Sequence, residues 1–162
     1  MENKQIIKIG NKAPTFILDD HNEKPFKLSD FKGEKILLSF HPLAWTSVCA
    51  KQMQSLEENK RNFDKTNTIA VGISVDPTPS KKAWAEHLGI KNTRLLSDFW
   101  PHGAIAKQYG IFREDDGISK RANIIVDEEQ NISFMKIYPI SQLPDIQEII
   151  RLLEQKKVTK IV

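Results

Sequence analysis

The sequence predicts an α/β sandwich around a central mixed sheet, with an N-terminal β-hairpin. Three observations predict it. Apolar β-branched runs alternate with helical periodicities through the middle of the chain; two late runs, 121–127 and 132–137, are joined only by the polar turn 128–131; and two short apolar segments, 16–18 and 26–28, flank the polar residues 19–25. The alternation calls for parallel strands with helical crossovers, and the two turn-linked pairs call for antiparallel ones.

In order, residues 6–10 lead through Asn11-Lys12-Ala13-Pro14 into the hairpin, and residues 28–33, Leu-Ser-Asp-Phe-Lys-Gly, make a capped turn. Residues 35–40 are a short apolar run, read as a buried parallel strand, after which the chain turns at Pro42. Thr46 and Ser47 are good N-cap types, and Val48, Met53, Leu56 and Phe63 recur at roughly helical spacing, so a helix starts here with Cys49 in its first turn. Residues 68–75 form a second buried strand that ends at Asp76-Pro77. Thr78-Pro79-Ser80 then caps a helix that carries Ala83, Trp84 and Leu88 and stops at Gly89, with Trp84 assigned to the core. A short strand at 94–97, a short helix at 104–109 ending at Gly110 and a last helix at 143–153 complete the pattern.

With 162 residues, 40% of them apolar, and no Pro, Gly or Ser-rich tract, one domain over 1–162 is expected. The net charge of +3 comes from 24 basic and 21 acidic residues spread along the chain, which leaves no stripe for nucleic acid. Lys156, Lys157 and Lys160 make a short basic tail, read as a solvated helix end. Residues 1–10 hold no apolar core of signal-peptide length, and no run approaches the roughly 18 apolar residues of a membrane span. No membrane partner is therefore expected, and a cytoplasmic location is. The single cysteine excludes an internal disulfide framework and fits a reducing compartment.

That cysteine, Cys49, is the centre of the chemistry. A side chain in the first helical turn faces unpaired N–H groups and the positive end of the helix dipole, which favour a thiolate. An unperturbed thiol of pKa near 8.5 is only a few per cent ionised at pH 7, and making it mostly thiolate takes about 2.7 kcal/mol. The dipole supplies at most about 2 kcal/mol, so a cation must come from elsewhere in the chain. A lone cysteine is ordinarily a small buried hydrophobe. Here its company differs: a strand, a proline turn, a hydroxyl three residues before it and an amphipathic helix after it.

The pattern Pro-x-x-x-Thr-x-x-Cys, filled by Pro42, Thr46 and Cys49, resembles the peroxidatic motif of the peroxiredoxins, which reduce hydroperoxides with a cysteine thiolate. The resemblance covers about residues 9–153 and implies a thioredoxin-like sandwich; residues 28–33 are similar to the turn before its first core strand. It further implies Cys49 as the nucleophile, a Thr46 hydroxyl that hydrogen-bonds thiolate and peroxide, and Pro42 as the shield against water. From the residues alone Thr46 reads as an N-cap and Pro42 as a turn. The implied cation is Arg121, at the head of Arg-Ala-Asn-Ile-Ile-Val-Asp, a strand similar to the family's, with Ile124 in place of the usual aromatic. Arg61, Arg94, Arg113 and Arg151 are read as surface ion-pairing residues. Gln52 stands where relatives carry Glu or Gln.

Residues 97–103, Ser-Asp-Phe-Trp-Pro-His-Gly, with 104–112 resemble the AhpE-type subgroup, which implies a one-cysteine enzyme. Gln54 occupies the place of one subgroup's resolving cysteine, and residues 153–162 lack the one that another subgroup uses. His102, between Pro101 and Gly103, is read as a structural loop histidine outside catalysis. Trp45 and Trp100 are candidates for an apolar pocket wall.

Other chemistries fail on spacing. A Cys-x-x-Cys exchange site would need cysteine at Thr46 or Gln52, and a Cys-x5-Arg phosphatase loop would need arginine at Ser55. The four histidines, His21, His41, His87 and His102, show no zinc spacing, so no metal is expected. No Gly-rich phosphate loop occurs, so no cofactor is expected either. The expected function is a thiol-dependent peroxidase acting on hydrogen peroxide and organic hydroperoxides through a sulfenic acid at Cys49, resolved by an external thiol, as a homodimer. The alternative is a thioredoxin-like redox sensor or holdase switched by Cys49 oxidation.

Overall fold

The computed structural model describes residues 7–155. The basic tail at Lys156, Lys157 and Lys160 lies outside the described residues. Strands β1 (Ile17–Asp19) and β2 (Pro25–Lys27) pair antiparallel with Leu18 opposite Phe26, as the hairpin expectation requires. Both of these central side chains are buried between exposed neighbours, the period-2 signature of a half-buried ribbon. A 3-10 turn, Leu28–Phe31, leads into β3 (Lys35–Phe40).

The chain continues through α1 (Ser47–Glu58), α2 (Lys60–Lys65), β4 (Thr68–Ser74), α3 (Thr78–Leu88), β5 (Arg94–Ser97) and α4 (Ala104–Gln108). A small hairpin, β6 (Phe112–Arg113) and β7 (Ile118–Ser119), then precedes β8 (Arg121–Val126), β9 (Ile132–Tyr138) and α5 (Ile146–Gln155). The central sheet has the order β5-β4-β3-β8-β9. β3, β4 and β5 run parallel, while β8 is antiparallel to both β3 and β9. The mixed sheet follows from the connections: α1–α2 and α3 provide crossovers, whereas β8 and β9 need only a turn.

Every position of β3 and β8 is buried, so both faces of these central strands are covered. Alternation divides them cleanly. Ile36, Leu38 and Phe40, with Ala122, Ile124 and Val126, pack with Phe16, Phe26 and Tyr109 under the hairpin and α4. Leu37 and Ile125 face the other way, onto Met53, Leu56, Phe63, Trp84, Ile149 and Leu153 of the remaining helices. Ser39, Arg121 and Asn123 share that second face by the same alternation. Gly72 of β4 gives α1 its close seat, because a Cβ there would collide with the Met53 sulfur.

Three features depart from the expected elements. The helix foreseen from Val48 through Phe63 breaks at Asn59, which ends α1 and starts α2. The last helix begins at Ile146, after Pro144, with Asp145 Oδ1 accepting the Gln147 N–H at 3.0 Å. β6 and β7 were not foreseen, since Glu114-Asp115-Asp116-Gly117 offers no apolar run on which to read a strand. Among the described residues no helix is long and apolar enough to cross a membrane.

Candidate active site

Because β3, β4 and β5 are parallel, the segments that follow them emerge at one end of the sheet. Antiparallel β8 begins at that same end, with Arg121 near the turn that leads from β3 into α1. Cys49 is the third residue of α1 and is 1% exposed. Thr46 takes the N-cap position with extended backbone, as its residue type suggests, yet its side chain makes no cap bond. Its hydroxyl donates instead to Leu43 O at 2.8 Å, so the structure does not bring it into a hydrogen bond with Cys49. Pro42 is buried between His41 and the exposed Leu43.

Arg121 is 3% exposed, and its guanidinium reaches Cys49. Its Nη1 donates to Cys49 Sγ at 3.4 Å and to Gln52 Oε1 at 2.6 Å, while Nε and Nη2 donate to Ile140 O at 3.1 and 2.7 Å. None of these partners is a carboxylate, so the guanidinium charge is left facing the sulfur. Gln52, one turn beyond Cys49 on the same face of α1, does more than its position in the sequence disclosed. Its Nε2 donates to Ser39 Oγ at 2.7 Å and Phe40 O at 3.2 Å, and Ser39 Oγ donates to Asn123 Oδ1 at 2.8 Å. Three neighbouring elements, α1, β3 and β8, are thus tied together by polar groups that all find partners.

A second polar cluster lies at the same sheet end, and nothing in the motif pointed to it. Lys81 of α3 is 0% exposed; its Nζ donates to Ser74 Oγ at 2.5 Å and lies 3.4 Å from His41 Nε2. Burial pulls the Lys81 ammonium down to about 7, against the opposing pull of the Asp76, Cys49 and Asp98 charges. Burial, and then the Lys81 charge, hold His41 well below the ordinary histidine range. Burial raises Asp98 above the usual carboxylate range although it accepts the Ala106 and Ile105 N–H groups at 3.0 Å. An inward lysine on a helix face shared with Trp84 and Ala85 is a signal the helical spacing could have shown.

The other candidates sort as follows. His102 bonds Gly117 O at 2.7 Å and meets Phe99 and Phe112 edge-on, so it ties the β6–β7 hairpin to the loop before α4. Trp45 lies against His87 and donates to Ser80 Oγ at 3.1 Å, and Trp100 is 82% exposed. Arg94, Arg113 and Arg151 form ion pairs with Asp20, Asp116 and Asp145. Among the described residues no group of three His, Cys, Asp or Glu could hold a metal ion.

The model of the AhpC/TSA family matches residues 9–135. The alkyl hydroperoxide reductase E of Mycobacterium tuberculosis is 37% identical over 141 residues, covering 86% of this chain and 92% of that protein. Peroxiredoxin-1 of Gekko japonicus is 33% identical over 161 residues, covering 93% of this chain and 80% of its own. Among solved structures, Enterococcus faecalis AhpC superposes with a TM-score of 0.87 at 25% identity, covering 96% of this chain and 95% of that one. The reduced 2-Cys peroxiredoxin of Plasmodium vivax gives 0.85 at 26% identity, covering 94% and 83%. The thioredoxin-like arrangement expected from the motif is the one these structures share with it. A family match over most of the chain, joined to relatives that span it nearly end to end, makes this chain a member of the AhpC/TSA family.

Proposed function

We propose that the chain is a one-cysteine thiol peroxidase that reduces hydrogen peroxide and organic hydroperoxides, with residues 1–162 acting as one domain. The Cys49 thiolate attacks the terminal peroxide oxygen, so an S–O bond forms as the O–O bond breaks, and the leaving alkoxide or hydroxide takes a proton to become alcohol or water. An external thiol then attacks the sulfenic acid, releases water and leaves a mixed disulfide, which a second thiol reduces. The observation that carries this reading is the Arg121 Nη1 contact of 3.4 Å with Cys49 Sγ, made by a buried guanidinium whose other hydrogen-bond partners among the described residues are an amide and a backbone carbonyl.

In this mechanism Arg121 stabilises the thiolate and the charge that builds on the peroxide. Pro42 keeps water from the sulfur, and Thr46, its hydroxyl hydrogen held by Leu43 O, offers its lone pairs to the peroxide O–H. The reductant is a thioredoxin-, glutaredoxin- or small-thiol-type donor in a reducing, cytoplasmic setting, which suits the one free cysteine. The enzyme is a homodimer. Its interface uses the sheet end that carries the site, where Leu43, Trp45, Phe99 and Trp100 are 39%, 52%, 47% and 82% exposed.

Peroxide turnover with thiol present tests the function, because an enzyme consumes many equivalents whereas a sensor consumes about one. Cys49→Ser, nearly isosteric, should abolish consumption while the fold persists. Intact-protein mass should show one added oxygen after one equivalent of peroxide, and a thiol adduct once thiol is supplied. Consumption by the Ser variant would overturn the assignment.

A further inference from the structure

Lys81 carries a charge into the protein where packing alone would be served as well by Met or Leu, and removing an ammonium from water is costly unless its surroundings answer it. The surroundings of Lys81 offset part of that cost, in a definite order. His41 Nδ1 lies 3.4 Å from Ser39 O. A carbonyl only accepts, so Nδ1 carries the ring hydrogen and Nε2 turns a lone pair to the Lys81 ammonium. On the other side Lys81 donates to Ser74 Oγ, Ser74 in turn donates to Asp76 Oδ2 at 2.6 Å, and the same carboxylate oxygen accepts the Ala44 N–H at 2.9 Å. A buried cation is therefore two hydrogen bonds from a carboxylate that grips the turn between Pro42 and Thr46, the turn from which α1 presents Cys49.

The titratable groups facing Lys81 come from every element around it. They are Asp76 after β4, Asp98 after β5, Cys49 on α1, His41 after β3 and His21 between β1 and β2, with Arg121 of β8 acting on His41. The Cys49 charge is among those that favour the Lys81 ammonium. Arg121 reaches the sulfur by contact, while Lys81 is joined through Ser74 and Asp76 to the turn that presents it.

We propose that Lys81 is a positioning residue for the Cys49 site, holding the Pro42–Thr46 turn through Ser74 and Asp76 and acting as a second positive charge that sustains the thiolate. Its effect on turnover rests on the peroxidase reading; its effect on the thiolate does not. Thiolate absorbance near 240 nm should show the Cys49 titration midpoint moving up by about one pH unit in Lys81→Met, while the exposed neighbour Lys82→Met leaves it in place. Linkage requires the reverse effect as well. The Lys81 Nζ signal, followed by nitrogen NMR against pH, should titrate at lower pH in Cys49→Ser than in the native chain.

A folded Lys81→Met that titrates like the native protein overturns the proposal. If that variant does not fold, the NMR comparison decides alone, and a Lys81 titration unmoved by Cys49→Ser overturns it. Native protein that meets both titration expectations yet consumes no peroxide supports the role of Lys81 and overturns the peroxidase reading instead.

Discussion

Arg121 Nη1 donates to Gln52 Oε1 at 2.6 Å, a shorter bond than its 3.4 Å contact with Cys49 Sγ. The guanidinium is thus positioned by an uncharged amide and a backbone carbonyl before it meets the sulfur. A carboxylate in place of that amide would take up the positive charge. The amide fixes the fork and leaves its charge facing the Cys49 sulfur.

Arg121→Ala should reduce the thiolate fraction at neutral pH and slow oxidation of Cys49 by peroxide by about a hundredfold, the scale expected for losing one preorganised donor. Arg121→Lys should recover little, because one ammonium cannot span Cys49, Gln52 and Ile140 O at once. Arg61→Ala serves as the control. Stopped-flow oxidation of all three variants, with the thiolate read near 240 nm, checks the order, and equal rates for Arg121→Ala and native protein would exclude Arg121 as the partner.

Gln52→Leu keeps a similar volume but leaves Arg121 Nη1 without its shortest bond and removes a donor from Ser39 and Phe40 O. Buried groups stripped of partners cost about 1–3 kcal/mol, so urea unfolding should show that loss together with slower peroxide oxidation. Gln52→Glu should hold the fold better while lowering the thiolate fraction, since its carboxylate competes for Arg121. A Gln52→Glu protein with the native thiolate titration would contradict this account.

Thr46→Val removes the hydroxyl that now donates to Leu43 O, whereas Thr46→Ser keeps it. Valine should slow peroxide attack by about tenfold or more, with the thiolate titration unchanged, and serine should remain near native. If valine shifts the titration as much as the rate, Thr46 acts on the sulfur and not on the peroxide.

Burial pulls Lys81 down to about 7 in the fold, against about 10.4 for lysine in an unfolded chain. Between those values the unfolded chain holds more protons, so the Lys81 contribution makes the protein more stable as pH rises from about 7 towards 10. Below about 7 both states carry the proton and the burial penalty is full. Urea unfolding from pH 6 to 9.5 should show native protein gaining on Lys81→Met across this window, and parallel stability curves for the two would rule it out.

The residues themselves determined the strands, the helices and the two turn-linked pairs, because β-branched runs, helical spacing and turn chemistry are local. The hairpin at Leu18 and Phe26, the strand at 35–40 and the first-turn place of Cys49 were all legible from the chain. Arg121 was legible as a candidate partner of Cys49, and the structure brings the two within 3.4 Å. Only the tertiary structure decided which hydrogen-bond partners the site residues take. Thr46 turned its hydroxyl back to Leu43 O, a partner that residue type does not dictate. Gln52 became the clamp of Arg121, a contact across 69 residues set by the register of β8 against β3. The inward place of Lys81 on α3 is written in the helical spacing, but its partners are not: Ser74, Asp76, His41 and Asp98 come to it because three parallel strands end at one place, and the sequence separates those strand ends widely.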